Sequence, residues 1–234
     1  MTWTPTPSAS YWVGPPPRRA GRITTSRTEL LHLVIAFVVL SVDFAILRTQ
    51  FTVGTGFSIL SLNGLVDGLL FGATAGITGF VAHEMAHKVA AQRYGFWAEF
   101  RLSPTGLLLS LVTSLFGFLF AAPGATVVDG MGDLREWGRT SLAGPAVNLV
   151  EAGAFLGAAF GGALAFQSFA IWSFMLLLTF FNAWFATFNL IPFGLLDGQK
   201  VWRWNKAVWA GAFVLSAAFT ILVFVTLTSP MPTG

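Results

Sequence analysis

The chain has 234 residues, of which 55% are hydrophobic and 10% are charged, and its formal net charge is +3. Soluble domains carry about 25% charged residues, so this composition excludes an ordinary soluble protein and indicates an integral membrane protein. The small net charge argues against nucleic-acid binding. Because the chain has no cysteine, disulfides are excluded, and a metal site would have to use His, Asp or Glu.

Six apolar runs follow a Pro-, Ser-, Thr- and Arg-rich beginning, and each approaches the length of about 20 residues that crosses a membrane. They cover residues 30–47, 64–93, 107–128, 141–166, 169–191 and 207–227. We therefore predict a mobile cytoplasmic tail at 1–29, a polytopic membrane domain at 30–228 and a short C-terminal tail at 229–234.

The third run conflicts with the distribution of basic residues. Cytoplasmic loops are enriched in Lys and Arg, and basic clusters stand before the first run and on both sides of the third. If residues 107–128 crossed the membrane, the clusters at 135–139 and 200–206 would lie outside. Gly117 and the Pro123-Gly124 pair favour a turning, non-helical segment that enters and returns. Irregular backbone at membrane depth is tolerated where it lines a cavity. The predicted fold class is an all-α integral membrane protein with about five to six transmembrane helices and a membrane-embedded re-entrant or β-like loop.

The strongest chemical motif is His83-Glu84-Met85-Ala86-His87 in the second run. On a helix, residues four apart lie on one face, so the two imidazoles can bind one Zn²⁺. Glu84 stands beside them, where it can take a proton from water. The alternative is a pair of helix-end histidines directed toward lipid headgroups, which would explain neither the spacing nor the acidic residue at membrane depth.

Two histidines leave a zinc site one protein ligand short. His32, at the start of the first run, and Asp197, after the fifth, are both candidates, and Asp197 matches the predicted depth of His83 better. A turn or helix cap is the alternative role for Asp197. Some membrane metalloproteases use glutamate as third ligand, so Glu151 is a further candidate, with lower weight.

The sequence resembles the site-2 protease family of intramembrane zinc metalloproteases. That family carries His-Glu-x-x-His in one transmembrane helix and Asn-x-x-Pro-x-x-x-x-Asp-Gly after a later one. Both patterns are complete here, the second from Asn189 to Gly198. The stretches at 122–125 and 144–148 also resemble its prokaryotic members, so the similarity runs from about residue 64 to 198. The PDZ and CBS domains that many members carry are not visible.

The resemblance implies that His83, His87 and Asp197 hold one Zn²⁺ per chain and that Glu84 is the general base. It further implies that Asn189 binds the substrate backbone. Asn148 is predicted to contact either the substrate or the zinc shell, with an interhelical hydrogen bond as the alternative. The expected activity is hydrolysis of a peptide bond in or near a transmembrane segment of a membrane-protein substrate.

Two other functions stay open at this point. One is a zinc-binding membrane protein without hydrolysis, such as a metal transporter, and the other is an inactive protease homologue that acts in binding or quality control. The clustering of ionisable residues at one depth argues against the first, and the intact Glu84 argues against the second. We expect a multi-pass protein of a prokaryotic cell membrane, embedded in the lipid bilayer, with its active site toward the cytoplasm.

Overall fold

The computed structural model describes residues 22–51, 62–120 and 123–228. Within these ranges, five helices are long and apolar enough to cross a membrane. They are Arg27–Arg48, Val66–Arg93, Leu134–Phe166, Phe169–Asn189 and Lys206–Thr228. The predicted fold class, an all-α membrane protein, is confirmed. The predicted tail and domain boundaries stay predictions, because residues 1–21 and 229–234 lie outside the described ranges.

The first two spans are formed by three α-helices and one short π-helical segment. They are α1 (Arg27–Phe51), α2 (Leu62–Ala75) and α3 (His83–Arg93), and the π-helical segment Gly76–Ala82 joins α2 to α3. Short π-helical insertions are often found at functional sites. This one ends directly before His83, so the two imidazoles begin a new stretch of regular α-helix.

The third apolar run doubles back on itself between two paired strands. Strand β1 (Trp97–Leu102) leads into helix α4 (Pro104–Leu115), and strand β2 (Gly124–Asp129) comes back antiparallel to β1. Trp97 pairs with Asp129, so the first and last residues of the β1–α4–β2 segment lie side by side. A 12-residue helix extends about 18 Å, which is shorter than the membrane core of about 30 Å.

The expectation of a wholly non-helical re-entrant segment is wrong, because α4 occupies its first half. Local sequence explains this helix. Pro104 stands at its first turn, and the Ser103 hydroxyl accepts a hydrogen bond from the Gly106 amide at 3.2 Å. Both features are typical helix starts.

The remaining helices are α5 (Leu134–Phe166), α6 (Phe169–Asn189), α7 (Asp197–Trp204) and α8 (Lys206–Thr228). The chain turns sharply between α6 and α7, with Gly194 at φ 63°. Gly198 lies directly against the Leu190 carbonyl, where a Cβ atom would overlap it. Glycine at this position therefore lets α7 begin close to the end of α6, and this contact fixes the position of Asp197.

A cluster of aromatic side chains holds the helices together around the site. Phe44 of α1 contacts Phe181 of α6 edge to face, with ring centroids 5.0 Å apart. Phe80 of the π-helical segment contacts Phe100 of β1 in the same geometry at 5.4 Å. Phe44, Phe80 and Phe100 are all buried. This packing sets the first span against α6 and the second span against the sheet of β1 and β2, here called the re-entrant sheet.

A buried ion pair joins α1, α3 and β1. Lys88 and Glu29 are 1% and 0% exposed, and the Lys88 ammonium group donates to the Glu29 carboxylate. The other Glu29 oxygen accepts from the Phe100 amide at 3.1 Å. Thr24, within the predicted tail at 1–29, exchanges two hydrogen bonds with the Gln92 side chain. The pair therefore anchors the start of α1 beside the His83–His87 turn.

Candidate metal centre

Three potential ligand atoms converge at the start of α3 and the start of α7. His87 Nε2 lies 3.0 Å from His83 Nε2 and 3.0 Å from Asp197 Oδ2, and His83 Nε2 lies 3.5 Å from Asp197 Oδ2. Among the described residues, these three form the group of His, Asp and Glu side chains close enough to share a metal ion. The structure thus brings together the three side chains that the sequence analysis predicted as ligands.

The hydrogen bonds of the two imidazoles determine which nitrogen carries the proton. His83 Nδ1 lies 2.5 Å from Asn148 Oδ1, and His87 Nδ1 lies 2.8 Å from the Thr140 carbonyl oxygen. Asn148 Nδ2 donates to Asn182 Oδ1 and to the Gly79 carbonyl, which fixes the orientation of the amide. Both partners of the imidazoles are therefore acceptors, so both Nδ1 atoms carry hydrogen. The two Nε2 atoms then present lone pairs to each other and to Asp197.

This arrangement fits Zn²⁺. Ligands at about 2.0–2.1 Å in tetrahedral geometry lie about 3.3–3.4 Å from each other, close to the observed 3.0, 3.0 and 3.5 Å. Three buried lone-pair donors at these distances repel one another unless a cation lies between them. The outer hydrogen bonds from Nδ1 to an amide or carbonyl oxygen are also typical of metal-binding histidines.

Gly144 of α5 provides the space in front of these atoms. A Cβ atom at this position would lie 2.6 Å from His83 Nε2 and closer still to His87 Nε2. Any larger residue would therefore occupy the volume beside the donor atoms. The glycine keeps that volume open on the α5 side of the site.

The environment of Asp197 favours its ionised form. Burial raises the pKa of the Asp197 carboxyl, but when the imidazoles are protonated their charge and hydrogen bonds lower it by more, and the net pKa lies below its ordinary value. A carboxylate is the form that binds a metal. The side chain is 14% exposed, so it reaches the site from the edge of the cleft.

Glu84 is held by the re-entrant sheet. Its Oε2 atom accepts hydrogen bonds from the Thr126 amide at 2.8 Å and from the Thr126 hydroxyl at 2.7 Å. The Glu84 side chain lines the same cleft as the three ligand candidates and is almost fully buried. The carboxylate therefore lies in the same cleft as the three ligand candidates, fixed through one oxygen by Thr126.

The site opens into a cleft of about 630 Å³ between the re-entrant sheet and the end of α6. One wall is formed by residues 123–128, which include five of the six residues of β2, Gly124 to Val128. Phe185, Phe188 and Asn189 of α6 also line the cleft. An extended peptide placed along β2 would thus lie between that strand and α6.

The other predicted site residues lie in different positions. Asn189 lines the cleft, and its Nδ2 atom donates to the Phe185 carbonyl at 3.0 Å. Asn148 is fully buried behind His83, which is a predicted ligand, and it also makes the interhelical hydrogen bond of its alternative role, to Asn182 of α6. His32 accepts from the Leu102 amide at 3.4 Å. Neither His32 nor Glu151 belongs to the ligand group found among the described residues.

Two contacts of the site were missed by the sequence analysis. Thr126 binds Glu84 across 42 residues, and the Thr140 carbonyl binds His87 across 53. Neither contact has a local sequence signal, because a threonine in a strand and a backbone carbonyl in a helix are common features without a specific function. Only the pairing of β2 with β1 and the packing of α5 on α3 bring these groups to the site.

A protein of Methanocaldococcus jannaschii, named "Putative zinc metalloprotease", is 36% identical to this chain over 137 residues. The aligned region is 57% of this chain and 69% of that protein. No protein-family model matches the chain, and no solved structure matches it with statistical significance. The ligand geometry and this similarity agree, and the chain belongs to the family of zinc metalloproteases that the archaeal protein represents.

Proposed function

We propose that this protein is an intramembrane zinc metalloprotease of the site-2 protease type, which hydrolyses a peptide bond in or near a transmembrane segment of another membrane protein. The observation that carries the proposal is the convergence of His83, His87 and Asp197 beside Glu84, on helices of a five-span membrane protein. A zinc site within a spanning helix would act on a bond at membrane depth.

His83, His87 and Asp197 would hold the metal through the three atoms that already face one another. When bound, Zn²⁺ supplies Lewis acidity for the scissile carbonyl and lowers the pKa of water from about 15.7 to about 7. Asn148 and the Thr140 carbonyl keep each imidazole in the tautomer that binds metal. These contacts keep the ligand geometry fixed before substrate arrives.

Glu84 would act as general base and then as general acid. Its carboxylate accepts a proton from the attacking water and returns it to the nitrogen of the leaving amine. The water oxygen forms a bond to the scissile carbonyl carbon, and the carbon–nitrogen bond breaks. Because Glu84 is almost fully buried, its carboxylate is weakly solvated and can remain close to the reacting atoms.

The outer edge of β2 would bind the substrate backbone. A transmembrane helix satisfies its own amides, so the scissile segment must unwind before hydrolysis, and its freed backbone groups then need partners. Within the described residues β2 pairs only with β1, and its other edge faces the cleft. Strand addition at that edge would satisfy those groups, and Asn189, which also lines the cleft, would hydrogen-bond the backbone near the scissile bond.

The proposed cytoplasmic position of the active site rests on the basic residues. Arg135 and Arg139 lie in the first two turns of α5, and Lys200 and Arg203 lie in α7. Both pairs are at the same end of the bundle as the ligand candidates. Cytoplasmic ends of spans are enriched in such residues. Water would reach the cleft from the cytoplasmic side. The protein would interact with the lipid bilayer and with a transmembrane substrate.

Cleavage by the purified protein tests the proposal. The full chain, with its zinc content measured, is incubated in lipid vesicles with a panel of single-span peptides of different sequences. We expect cleavage within or next to the apolar segment of at least one peptide. Treatment with a zinc chelator should abolish it, and added Zn²⁺ should restore it. A fully zinc-loaded protein that cleaves none of a broad panel would count against the protease function.

A further inference from the structure

Thr126 makes two separate hydrogen bonds to the same oxygen of Glu84. The Thr126 amide donates to Oε2 at 2.8 Å and its hydroxyl donates to Oε2 at 2.7 Å. No described residue donates to the other oxygen, Oε1. The side chain is therefore anchored through one oxygen, and the second is left for a proton from water.

The amide that holds Glu84 belongs to the open edge of the sheet. Thr126 is paired with Phe100 across the β1–β2 ladder. In an antiparallel ladder, alternate pairs direct their amides away from the partner strand. The Phe100 amide donates outward to Glu29, and the Thr126 amide donates outward to Glu84. An added substrate strand would need the same Thr126 amide that now binds Glu84.

The hydroxyl does not have this conflict. It is a side-chain group, and a strand that adds to β2 pairs with backbone groups only. When the amide is taken by the substrate, the hydroxyl remains as the bond from Thr126 to the Glu84 carboxylate. The importance of the hydroxyl is then greatest when substrate is bound.

We infer that Thr126 is a positioning residue for Glu84, whose hydroxyl keeps the carboxylate oriented when a substrate strand takes over the Thr126 amide. The inference rests on the proposed function, because it assigns a role to strand addition and to Glu84 as the base. Thr126 would thus connect the substrate-binding edge of β2 with the general base Glu84.

The kinetic test compares Thr126→Val, which removes the hydroxyl but keeps the branched shape, with Thr126→Ser, which keeps the hydroxyl. Loss of a hydrogen bond to a charged group should reduce kcat about tenfold or more, with little change in KM or zinc content. Thr126→Ser should restore most of kcat. Thr74→Val makes the same chemical change at a half-buried position on α2 and should leave both constants unchanged.

Infrared spectroscopy tests the contact without any substrate. In protein labelled with carbon-13 glutamate, the difference between the original protein and Glu84→Gln isolates the Glu84 carboxylate band. Thr126→Val should shift that band and Thr126→Ser should leave it in place. An unshifted band in Thr126→Val, or an unchanged kcat, would overturn the inference. If the original protein cleaves no peptide, the proposed function fails, and the infrared comparison still decides whether Thr126 holds Glu84.

Discussion

Asn148 Oδ1 lies 2.5 Å from His83 Nδ1, and both residues are buried. The amide oxygen accepts a hydrogen bond from the Nδ1–H group and so directs the Nε2 lone pair toward the ligand group. Replacing such an outer partner typically costs 10- to 100-fold in metal affinity. We expect Asn148→Leu to weaken zinc binding by about that factor, measured by competition with a chelating dye. Asn205→Ala, which removes an amide that caps α8, should bind zinc normally, and equal affinities for the two variants would remove Asn148 from the zinc shell.

Glu84→Gln separates catalysis from metal binding. The amide has nearly the shape of the carboxylate but cannot accept the proton from water. We expect peptide cleavage to fall by about 10²- to 10⁴-fold, while zinc stays near one per chain by elemental analysis. Glu136→Gln, at a half-buried position at the start of α5, serves as the control and should cleave normally. Turnover near the original rate in Glu84→Gln would mean that another group is the base.

The third ligand can be assigned by comparing two acidic residues. Asp197 Oδ2 lies 3.0 Å from His87 Nε2, whereas Glu151 is outside the ligand group. Asp197→Asn should therefore lower both bound zinc and activity, and Glu151→Gln should leave the zinc content intact. Elemental analysis of the two purified variants checks this, and the reverse ranking would transfer the role to Glu151.

The re-entrant path predicts a labelling pattern. Because the chain has no cysteine, single cysteines can be introduced without background. Arg93 and Asp133 are exposed residues on either side of the β1–α4–β2 segment, so Arg93→Cys and Asp133→Cys should react with an impermeant thiol reagent from the same face. Gln167→Cys, at the other end of α5, should react from the opposite face. Labelling of positions 93 and 133 from different faces would show that the segment crosses.

The buried pair of Lys88 and Glu29 should contribute strongly to stability. Removing one partner of a buried ion pair leaves an uncompensated charge and costs about 3–5 kcal/mol. We expect Lys88→Met to lower the free energy of unfolding in detergent by that amount, and the added change Glu29→Leu to recover part of it. Asp67→Asn breaks the Arg48–Asp67 pair, in which the Asp67 side chain is 50% exposed, and should cost about 1 kcal/mol or less. A similar small effect for Lys88→Met would mean that water reaches the pair.

The sequence by itself determined the elements whose signal is local. Long apolar runs predict spanning helices because every backbone group must be satisfied within lipid. The four-residue spacing of His83 and His87 places both on one helix face. The charge distribution also predicted that the third run returns, but the helix α4 within it was missed, because glycines in that run were given more weight than the Ser103-Pro104 start.

Only the tertiary structure decided which groups meet at the site. Asp197 and His87 are 110 positions apart in the numbering, and their contact depends on α7 beginning close to the end of α6 at Gly198. Thr126 reaches Glu84 because β2 pairs with β1 in a defined register, and Asn148 reaches His83 because α5 packs on α3. These contacts depend on the packing of distant segments, and no local pattern encodes a distance between side chains that are far apart in the chain.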